Sequence, residues 1–155
     1  MNDEDLRQLL VIGHEYSYLH DDWVHPLREA LHGLTPEQAL WRPTPNAKGI
    51  WDIVLHLAAW AENIVERVET GEKTRPKEGH WPPPPEKPTN EAWQHAQDRL
   101  HKAQVAMRKM IDETPIEKIE QSPYGTGDLL CRFIHNAYHI GQIVKMRECM
   151  PNPLP

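Results

Sequence analysis

Two histidines near the C-terminal end of the chain have the types and spacing best suited to chemistry. His135 and His139 lie four residues apart, and on a helix this spacing places both imidazoles on one face, where they can share a metal ion. The chain has 10 histidines in 155 residues, so about 0.6 pairs of this spacing are expected by chance. The spacing alone therefore leaves two interpretations open, a pair of solvated histidines and a pair of metal ligands.

The residues around this pair favour a buried position. The main apolar stripe of the predicted helix points away from the two histidines and consists of Leu130, Phe133, Ile134, Ala137, Gly141 and Val144. The histidine side of the helix also carries apolar residues, namely Cys131, Ile143 and Met146. A helix that is apolar on two sides is usually buried on two sides, and buried imidazoles need partners. A bound metal ion is one such partner.

The other histidines have weaker patterns around them. His56 lies on the flank of an apolar stripe, where the residues alone favour a hydrogen-bonded interior histidine, and His20 is interpreted in the same way. His95 and His101 lie off the stripe of their helix and are predicted to be solvated. No pattern supports a ligand role for His14, His25, His32 and His80, although the last would border a pocket if its loop crosses one.

Proline positions divide the chain into the elements that must hold these residues. Four stretches lack proline, and each is long enough for a helix of four or more turns with apolar residues at helical spacing; they are residues 1–25, 46–75, 89–114 and 124–150. A shorter helix is predicted from Pro26 to Gly33, after a break near Asp21-Asp22-Trp23. Because no alternating strand pattern occurs, the sequence predicts an all-α helix bundle.

A proline-rich connection separates the second and third long helices. Six of the 15 prolines lie in residues 76–88, which indicates an extended segment with polyproline II character. The connection, residues 71–88, is too long for a tight hairpin, so it is predicted to cross one end of the bundle.

The six tryptophans divide into two groups by position. Those at helical positions are predicted to lie in the core, and they are Trp51, Trp60 and Trp93. Those in the connections are predicted to plug the ends of the bundle, and they are Trp23, Trp41 and Trp81.

Length and composition exclude several classes of function. A chain of 155 residues with 39% hydrophobic and 26% charged residues is typical of one folded domain, predicted to span residues 1–155. The formal charge of −6, without a basic cluster, argues against binding to nucleic acid or to anionic membranes. No apolar run approaches the ~20 residues needed to span a bilayer, and the N-terminus lacks the pattern of a secretory signal. We therefore expect a cytoplasmic protein whose partner is a small molecule.

Two helix segments resemble the signatures of a known family. Residues 50–60, IWDIVLHLAAW, are similar to the second-helix signature of the DinB/YfiT-like family, and residues 135–143, HNAYHIGQI, are similar to its last-helix signature. Their order and their separation of about 80 residues also match. Trp23-Val24-His25-Pro26-Leu27, followed by EQALWRP at residues 37–43, resembles the first-helix region of one branch, so the resemblance covers nearly the whole chain.

The resemblance implies a fold, a site and a cofactor. The fold is an up-up-down-down four-helix bundle with a long connection between the second and third helices. The cofactor is a divalent transition metal (zinc, nickel or iron) held by three residues that correspond here to His56, His135 and His139. The family's usual acidic residue after the first histidine of the last helix is replaced by Asn136. We expect Asn136 and Gln142 to support the metal ligands, with helix–helix hydrogen bonding as the alternative.

An ion held by three neutral imidazoles keeps its +2 charge uncompensated and has an open coordination position. Such a site can stabilise a thiolate for attack on an electrophile, or it can lower the pKa of a bound water for hydrolysis. Characterised relatives include thiol S-transferases, so the resemblance favours a metal-dependent transferase that uses a low-molecular-weight thiol. Two alternatives stay open, a metal-dependent hydrolase using metal-bound water and a non-enzymatic bundle with a structural metal. The resemblance is also compatible with a homodimer.

Overall fold

The computed structural model describes residues 2–21 and 25–151, and this part of the chain contains seven helices and no strand. In chain order they are α1 (Asp3–Tyr18), α2 (Leu27–Leu31), α3 (Pro36–Leu40), α4 (Ile50–Thr70), α5 (Asn90–Glu113), α6 (Ile116–Gln121) and α7 (Gly125–Cys149). The predicted all-α bundle of four long helices is confirmed, as is the short helix after Pro26. The predicted break at Asp21-Asp22-Trp23 and the predicted end plug Trp23 involve residues outside the described part.

The ends of the helices follow from local chemistry. Asn2 caps α1 by accepting from the Asp5 N–H at 2.8 Å, and Thr89 caps α5 by accepting from the Ala92 N–H at 3.1 Å. After α4 comes Gly71, whose φ of 74° is left-handed, as is common for a glycine that ends a helix. The short helices α3 and α6 were not predicted, because helices of five and six residues make less than two turns, too few for an apolar period to be visible.

The directions of the long helices follow from contacts between their ends, beginning with α1 and α5. Arg7, near the start of α1, donates to the carbonyl of Ile111 near the end of α5. The Tyr18 hydroxyl, at the end of α1, bonds with Nδ1 of His101 at 2.6 Å. These two helices therefore run in opposite directions.

In contrast, α4 and α5 run in the same direction. Trp51 and Trp93 lie near the starts of the two helices, and their ring centroids are 5.0 Å apart. Farther along both helices, Arg99 forms an ion pair with Glu62 at 2.8 Å. The tryptophan contact comes first and the ion pair second along each of the two helices, so the helices are parallel.

The last helix, α7, runs opposite to α4, since Arg67 near the end of α4 pairs with Asp128 near the start of α7 at 2.8 Å. The order of the long helices is therefore up-down-down-up. The up-up-down-down order implied by the resemblance is not confirmed. The physical reason is the connection between α4 and α5, which returns the chain to the starting end of α4 before α5 begins.

The proline-rich connection runs along the side of the bundle. Near its beginning, the Thr74 carbonyl accepts two hydrogen bonds from the Arg67 guanidinium at 2.8 and 3.0 Å. Farther on, Trp81 stacks on His56 in the first half of α4. Because α4 and α5 are parallel, the connection must cover the ~30 Å length of α4, a span that extended proline-rich backbone suits. The predicted proline-rich connection is confirmed, whereas its predicted path across one end of the bundle is wrong.

Two hydrophobic clusters fill the bundle, one toward each end. Trp51 and Trp93 are buried in one of them, as predicted, and Trp60 is half-buried. Trp41 and Trp81 pack against the same cluster but line a cavity on the side of the bundle, so their predicted position as end plugs is wrong. None of the helices in the described ranges has the length and apolar character needed to cross a bilayer.

The apolar stripe predicted for α7 faces mostly outward, which corrects the expected orientation of this helix. Leu130 is 48% and Ile134 is 71% exposed, and Phe133 is the stripe residue that is buried. The buried face of α7 consists of Leu129, Arg132, Phe133, Asn136, His139, Ile140 and Ile143. The helix packs on α4 with its histidine side and on α1 with its Phe133 side, so His139 is buried and His135 half-buried.

Candidate metal centre

Three histidines from two helices meet at one point. His56 lies on α4, and His135 and His139 lie one turn apart on α7. The Nε2 atom of His135 is 3.1 Å from Nε2 of His56 and 3.0 Å from Nε2 of His139. His56 and His139 are buried and His135 is half-buried. Within the described part of the chain, these residues form a group of potential metal ligands close enough together to hold one ion.

Hydrogen bonds at the outer nitrogens determine which nitrogen points inward. Nδ1 of His56 lies 2.6 Å from the His80 carbonyl oxygen, which can only accept, so Nδ1 carries the proton. Nδ1 of His139 lies 2.7 Å from Oε1 of Gln142, whose Nε2 donates to the Tyr138 hydroxyl at 2.9 Å. His139 therefore also carries its proton on Nδ1. Both rings direct an Nε2 lone pair toward the centre, as metal-binding histidines do.

Burial keeps the three imidazoles neutral. Desolvation lowers the pKa of His56 to about 4, although its bond to the His80 carbonyl acts in the other direction. Desolvation, followed in importance by repulsion from the Arg132 guanidinium, lowers the pKa of His135 to about 3. The pKa of His139 is also lowered, again mainly by desolvation. Neutral imidazole is the form that binds a metal ion, so protonation of the rings does not compete with a metal ion for this cluster at neutral pH.

The arrangement fits a divalent metal ion. Nitrogens held ~2.0–2.1 Å from one ion in tetrahedral or octahedral geometry lie about 3.0–3.4 Å apart, and the Nε2 separations fall in this range. The inward lone pairs of His56 and His139 cannot satisfy each other, because neither nitrogen has a proton to donate. Imidazole suits zinc, nickel and iron alike, so the donor set is compatible with each of the predicted metals.

The cluster opens onto a cavity of about 600 Å³, which is the size of a small-molecule site. Trp81 covers one side of the cluster by stacking on His56, with ring centroids 4.0 Å apart and planes 14° apart. The prediction that His80-Trp81 borders a pocket is thereby confirmed. Apolar side chains form much of the wall, namely Trp41, Pro43, Ile53, Trp81 and Met146. Polar groups other than the three histidines come from Lys48, His80, Tyr138, Gln142, Lys145 and Cys149.

Arg132 is a neighbour of the cluster that the sequence analysis missed. Its Nη1 atom lies 3.0 Å from Nδ1 of His135, and the residue is 8% exposed. Desolvation lowers the pKa of Arg132 to about 10, with Asp128 acting in the opposite direction, so the guanidinium stays charged at neutral pH. The available signal was its position three residues before His135, which places both side chains on one face of a helix.

The two residues predicted to support the ligands differ in their surroundings. Gln142 bonds directly to His139, as described above. Asn136 is fully buried, yet neither atom of its amide has a hydrogen-bond partner within the described residues. The structure therefore brings Gln142, but not Asn136, into hydrogen-bond contact with a cluster histidine. Their roles toward a metal stay predictions.

Four other histidines of the described residues lie away from the cluster. His20 was expected in the interior, but it is exposed because α1 ends before reaching it. His14, which no pattern singled out, is buried, and its Nε2 atom lies 3.1 Å from the Gln104 carbonyl. His95 and His101 are exposed, as predicted.

Comparison with known proteins identifies the family of this bundle. The sequence profile of the DinB superfamily matches residues 19–143, and the chain belongs to that superfamily. The match spans both helix segments on which the resemblance was based, and it includes all three histidines of the cluster. Comparison with curated proteins and with solved structures gives no significant match.

Proposed function

We propose that the protein is a metal-dependent thiol S-transferase that uses a low-molecular-weight thiol. The observation that carries the proposal is the convergence of three neutral imidazoles, with Nε2 separations of 3.0 and 3.1 Å, at the wall of a cavity of small-molecule size. His56, His135 and His139 would hold the ion. A divalent ion bound there supplies Lewis acidity, which favours the deprotonated form of a thiol.

The cavity wall favours a thiol over water as the nucleophile. A hydrolase usually needs a general base beside its water, most often a carboxylate or a histidine. No Asp or Glu of the described residues lines the cavity, and the Nδ1 atoms of His56 and His139 already donate to other groups. Outside the cluster, His80 is the histidine of the described residues that lines the cavity, so a hydrolase would have to use its imidazole as the base. A thiol needs less help from a base, since its ordinary pKa of ~8.5 is already close to neutral pH.

The remaining wall residues suit an electrophile that is partly apolar and partly anionic. The aromatic and aliphatic side chains exclude water and contact a carbon skeleton, while Lys48, whose Nζ lies 5.1 Å from the Trp81 ring centroid, brings an ammonium group to the cavity. In the transfer, the thiol sulfur forms a bond to an electrophilic carbon, and the bond from that carbon to its leaving group breaks. The leaving group departs with the proton that the thiol gives up.

Metal content, measured by mass spectrometry on tag-free protein prepared without a nickel column, tests the site. We expect about one ion per chain in the wild type and loss of the ion in His56→Ala, His135→Ala and His139→Ala. The matched control is His95→Ala, which removes an exposed histidine of α5 and should leave the metal content unchanged.

Metal-loaded protein is then assayed against a panel of thiols and electrophiles. Thiol-dependent turnover that His135→Ala abolishes, with an unchanged circular dichroism spectrum, supports the transferase. Turnover of esters or amides without any thiol would favour the hydrolase instead. Inertness across all panels would contradict both enzymatic functions.

A structural metal is the second candidate, because the three histidines join α4 to α7. In that case a chelator lowers the melting temperature substantially, and there is no activity to lose. If the protein is a transferase, we expect the bundle to stay folded after chelation, because two hydrophobic clusters and the Arg67–Asp128 pair also join its helices. Thermal melts with and without chelator therefore separate the two functions.

A further inference from the structure

Arg132 faces the nitrogen at which a metal-binding histidine normally donates a hydrogen bond. Its Nη1 atom lies 3.0 Å from Nδ1 of His135. Because a guanidinium has only N–H donors, Nδ1 of His135 must be the acceptor, and the proton of the neutral ring must lie on Nε2. This is the opposite tautomer to that of His56 and His139, whose Nδ1 atoms face acceptors.

The inverted tautomer completes the hydrogen bonds among the three inner nitrogens. Nε2–H of His135 lies between the Nε2 atoms of His56 and His139, at 3.1 and 3.0 Å. It can donate to either lone pair, and neither of the other two rings has a proton on its inner side. One proton on His135 thus lets the cluster hold together through its own hydrogen bonds.

Packing holds Arg132 in this position. Its guanidinium carbon lies 5.0 Å from the ring centroid of Trp60, and that of Arg67 lies 5.5 Å from the same ring. Arg67 is held in turn by the Asp128 carboxylate and the Thr74 carbonyl, both at 2.8 Å. Arg132 is also nearly inaccessible to solvent, so its contact with His135 is part of a packed arrangement.

We propose that Arg132 is a positioning residue that opposes metal binding at the three-histidine site by holding His135 in the Nε2–H tautomer. An ion bound to all three Nε2 atoms needs the His135 proton on Nδ1, where an N–H of Arg132 already lies. An acceptor at this position would stabilise the binding tautomer and make the ring a better electron donor, whereas Arg132 does the reverse. An ion at this site is therefore bound more weakly, and stays more electron-poor, than it would if an acceptor stood in the position of Arg132. The tautomer follows from the hydrogen bonds alone, while its effect on metal affinity rests on the proposed function.

The tautomer is tested by long-range ¹H–¹⁵N NMR on chelator-treated protein with ¹⁵N-labelled histidine, which distinguishes Nδ1–H from Nε2–H rings. We expect the Nε2–H pattern for His135 and the Nδ1–H pattern for His56 and His139. Arg132→Gln should convert His135 to Nδ1–H, since glutamine offers an amide oxygen as acceptor, as Gln142 does to Nδ1 of His139. Three Nδ1–H rings in the wild type would overturn the proposal.

Cobalt(II) titration, followed by the visible spectrum of the bound ion, tests the effect on affinity. We expect Arg132→Gln to bind cobalt about tenfold or more tightly than the wild type, with Arg132→Met in between. Glutamine supplies an acceptor, whereas methionine only removes the donor and its charge. Arg99→Gln, on α5 and paired with Glu62, controls for the loss of one positive charge and should leave the affinity unchanged.

Three outcomes of the titration are decisive. Weaker binding by both Arg132 variants, with unchanged melting temperatures, would show that Arg132 supports the metal site. Equal affinities of the glutamine and methionine variants would show that charge alone matters and would overturn the role of the proton. A wild type that binds no cobalt would contradict the proposed function, and the NMR experiment would still decide the tautomer.

Discussion

At the residue scale, the cluster histidines are neutral because the surrounding helices exclude water from them. Burial lowers the pKa of His56 from the ordinary value of about 6.5 to about 4 and the pKa of His135 to about 3. The pKa of His14, on α1, is lowered as well, mainly by burial. Each of these groups binds a proton more readily in the unfolded chain than in the folded protein.

We therefore expect the chelator-treated protein to lose stability as the pH falls from about 6.5 to about 4. In this window the unfolded state binds more protons, so the free energy of unfolding decreases with decreasing pH. His56→Gln should make this decrease shallower without abolishing it, because His14 and His135 still contribute. Urea unfolding at a series of pH values measures the slope.

His95→Gln is the matched control for this slope, because it replaces an exposed histidine that lies outside the cluster. It should keep the wild-type dependence on pH. If the wild type has the same stability at pH 7 and pH 4.5, the three imidazoles are not held neutral by burial, and the description of the cluster is incorrect.

At the scale of elements, α1 and α7 approach each other closely at one glycine. A Cβ atom added to Gly13 would lie 2.6 Å from Cδ2 and 2.9 Å from Cε2 of Phe133. The Phe133 ring is itself buried, so it has little freedom to move away. This contact helps to fix the rotation of α7 that turns the histidines toward α4.

We expect Gly13→Ala to destabilise the protein by about 1–3 kcal/mol, because the cost of overpacking exceeds the gain in helix propensity. Gly141→Ala is the control, since a Cβ atom at Gly141 has no neighbour within 4 Å. It should stabilise the protein by about 0.5–1 kcal/mol, because alanine replaces glycine in the middle of a helix.

Urea unfolding at low protein concentration measures both variants without a contribution from self-association. If Gly13→Ala and Gly141→Ala change the free energy of unfolding equally, the close approach of α1 and α7 is contradicted. Metal content should fall in Gly13→Ala if the rotation of α7 changes, and it should stay at the wild-type level in Gly141→Ala.

At the scale of the whole molecule, α1 and α7 leave an apolar surface uncovered. This α1–α7 face consists of Leu9, Ile12, Tyr16, Leu130 and Ile134, all of which are exposed. Leu9 and Tyr16 neighbour Gly13 on α1, and Leu130 neighbours Phe133 on α7, so the two rows flank the contact between the helices. Exposed apolar side chains that lie together on one face are typical of a surface that contacts a partner.

We expect a second copy of the chain to cover the α1–α7 face, as the family resemblance also suggests. Ile134→Glu should then shift the protein toward the monomer, because burying a carboxylate in an apolar interface is unfavourable. Val105→Glu is the matched control, since Val105 is 51% exposed on α5, a helix that contributes no residue to this face. Sedimentation velocity over a range of concentrations measures the shift. A wild type that stays monomeric at all concentrations would contradict the prediction.

The sequence by itself was enough to predict the four long helices, the proline-rich connection and the pair His135 and His139, whereas His56 was added to this pair only by the family resemblance. Proline positions, caps and apolar periods act through neighbours a few residues away, so they can be recognised without knowing the fold. The short helices α3 and α6 were not predicted, because less than two turns show no apolar period. The burial of His14 and Arg132 was not predicted either, because nothing within their own helices requires a polar residue to be buried.

Only the tertiary structure decided how α7 is rotated and in which direction each helix runs. α7 is apolar on two sides, so its sequence is compatible with either side facing inward, and packing on α4 and α1 selects the histidine side. The partners of the three Nδ1 atoms were likewise decided in part by folding. Gln142 and Arg132 are local to α7, but the His80 carbonyl reaches His56 only because the connection runs back along α4. The identity of the three cluster histidines is a property of the sequence, whereas their tautomers depend on which donor or acceptor the fold places beside them.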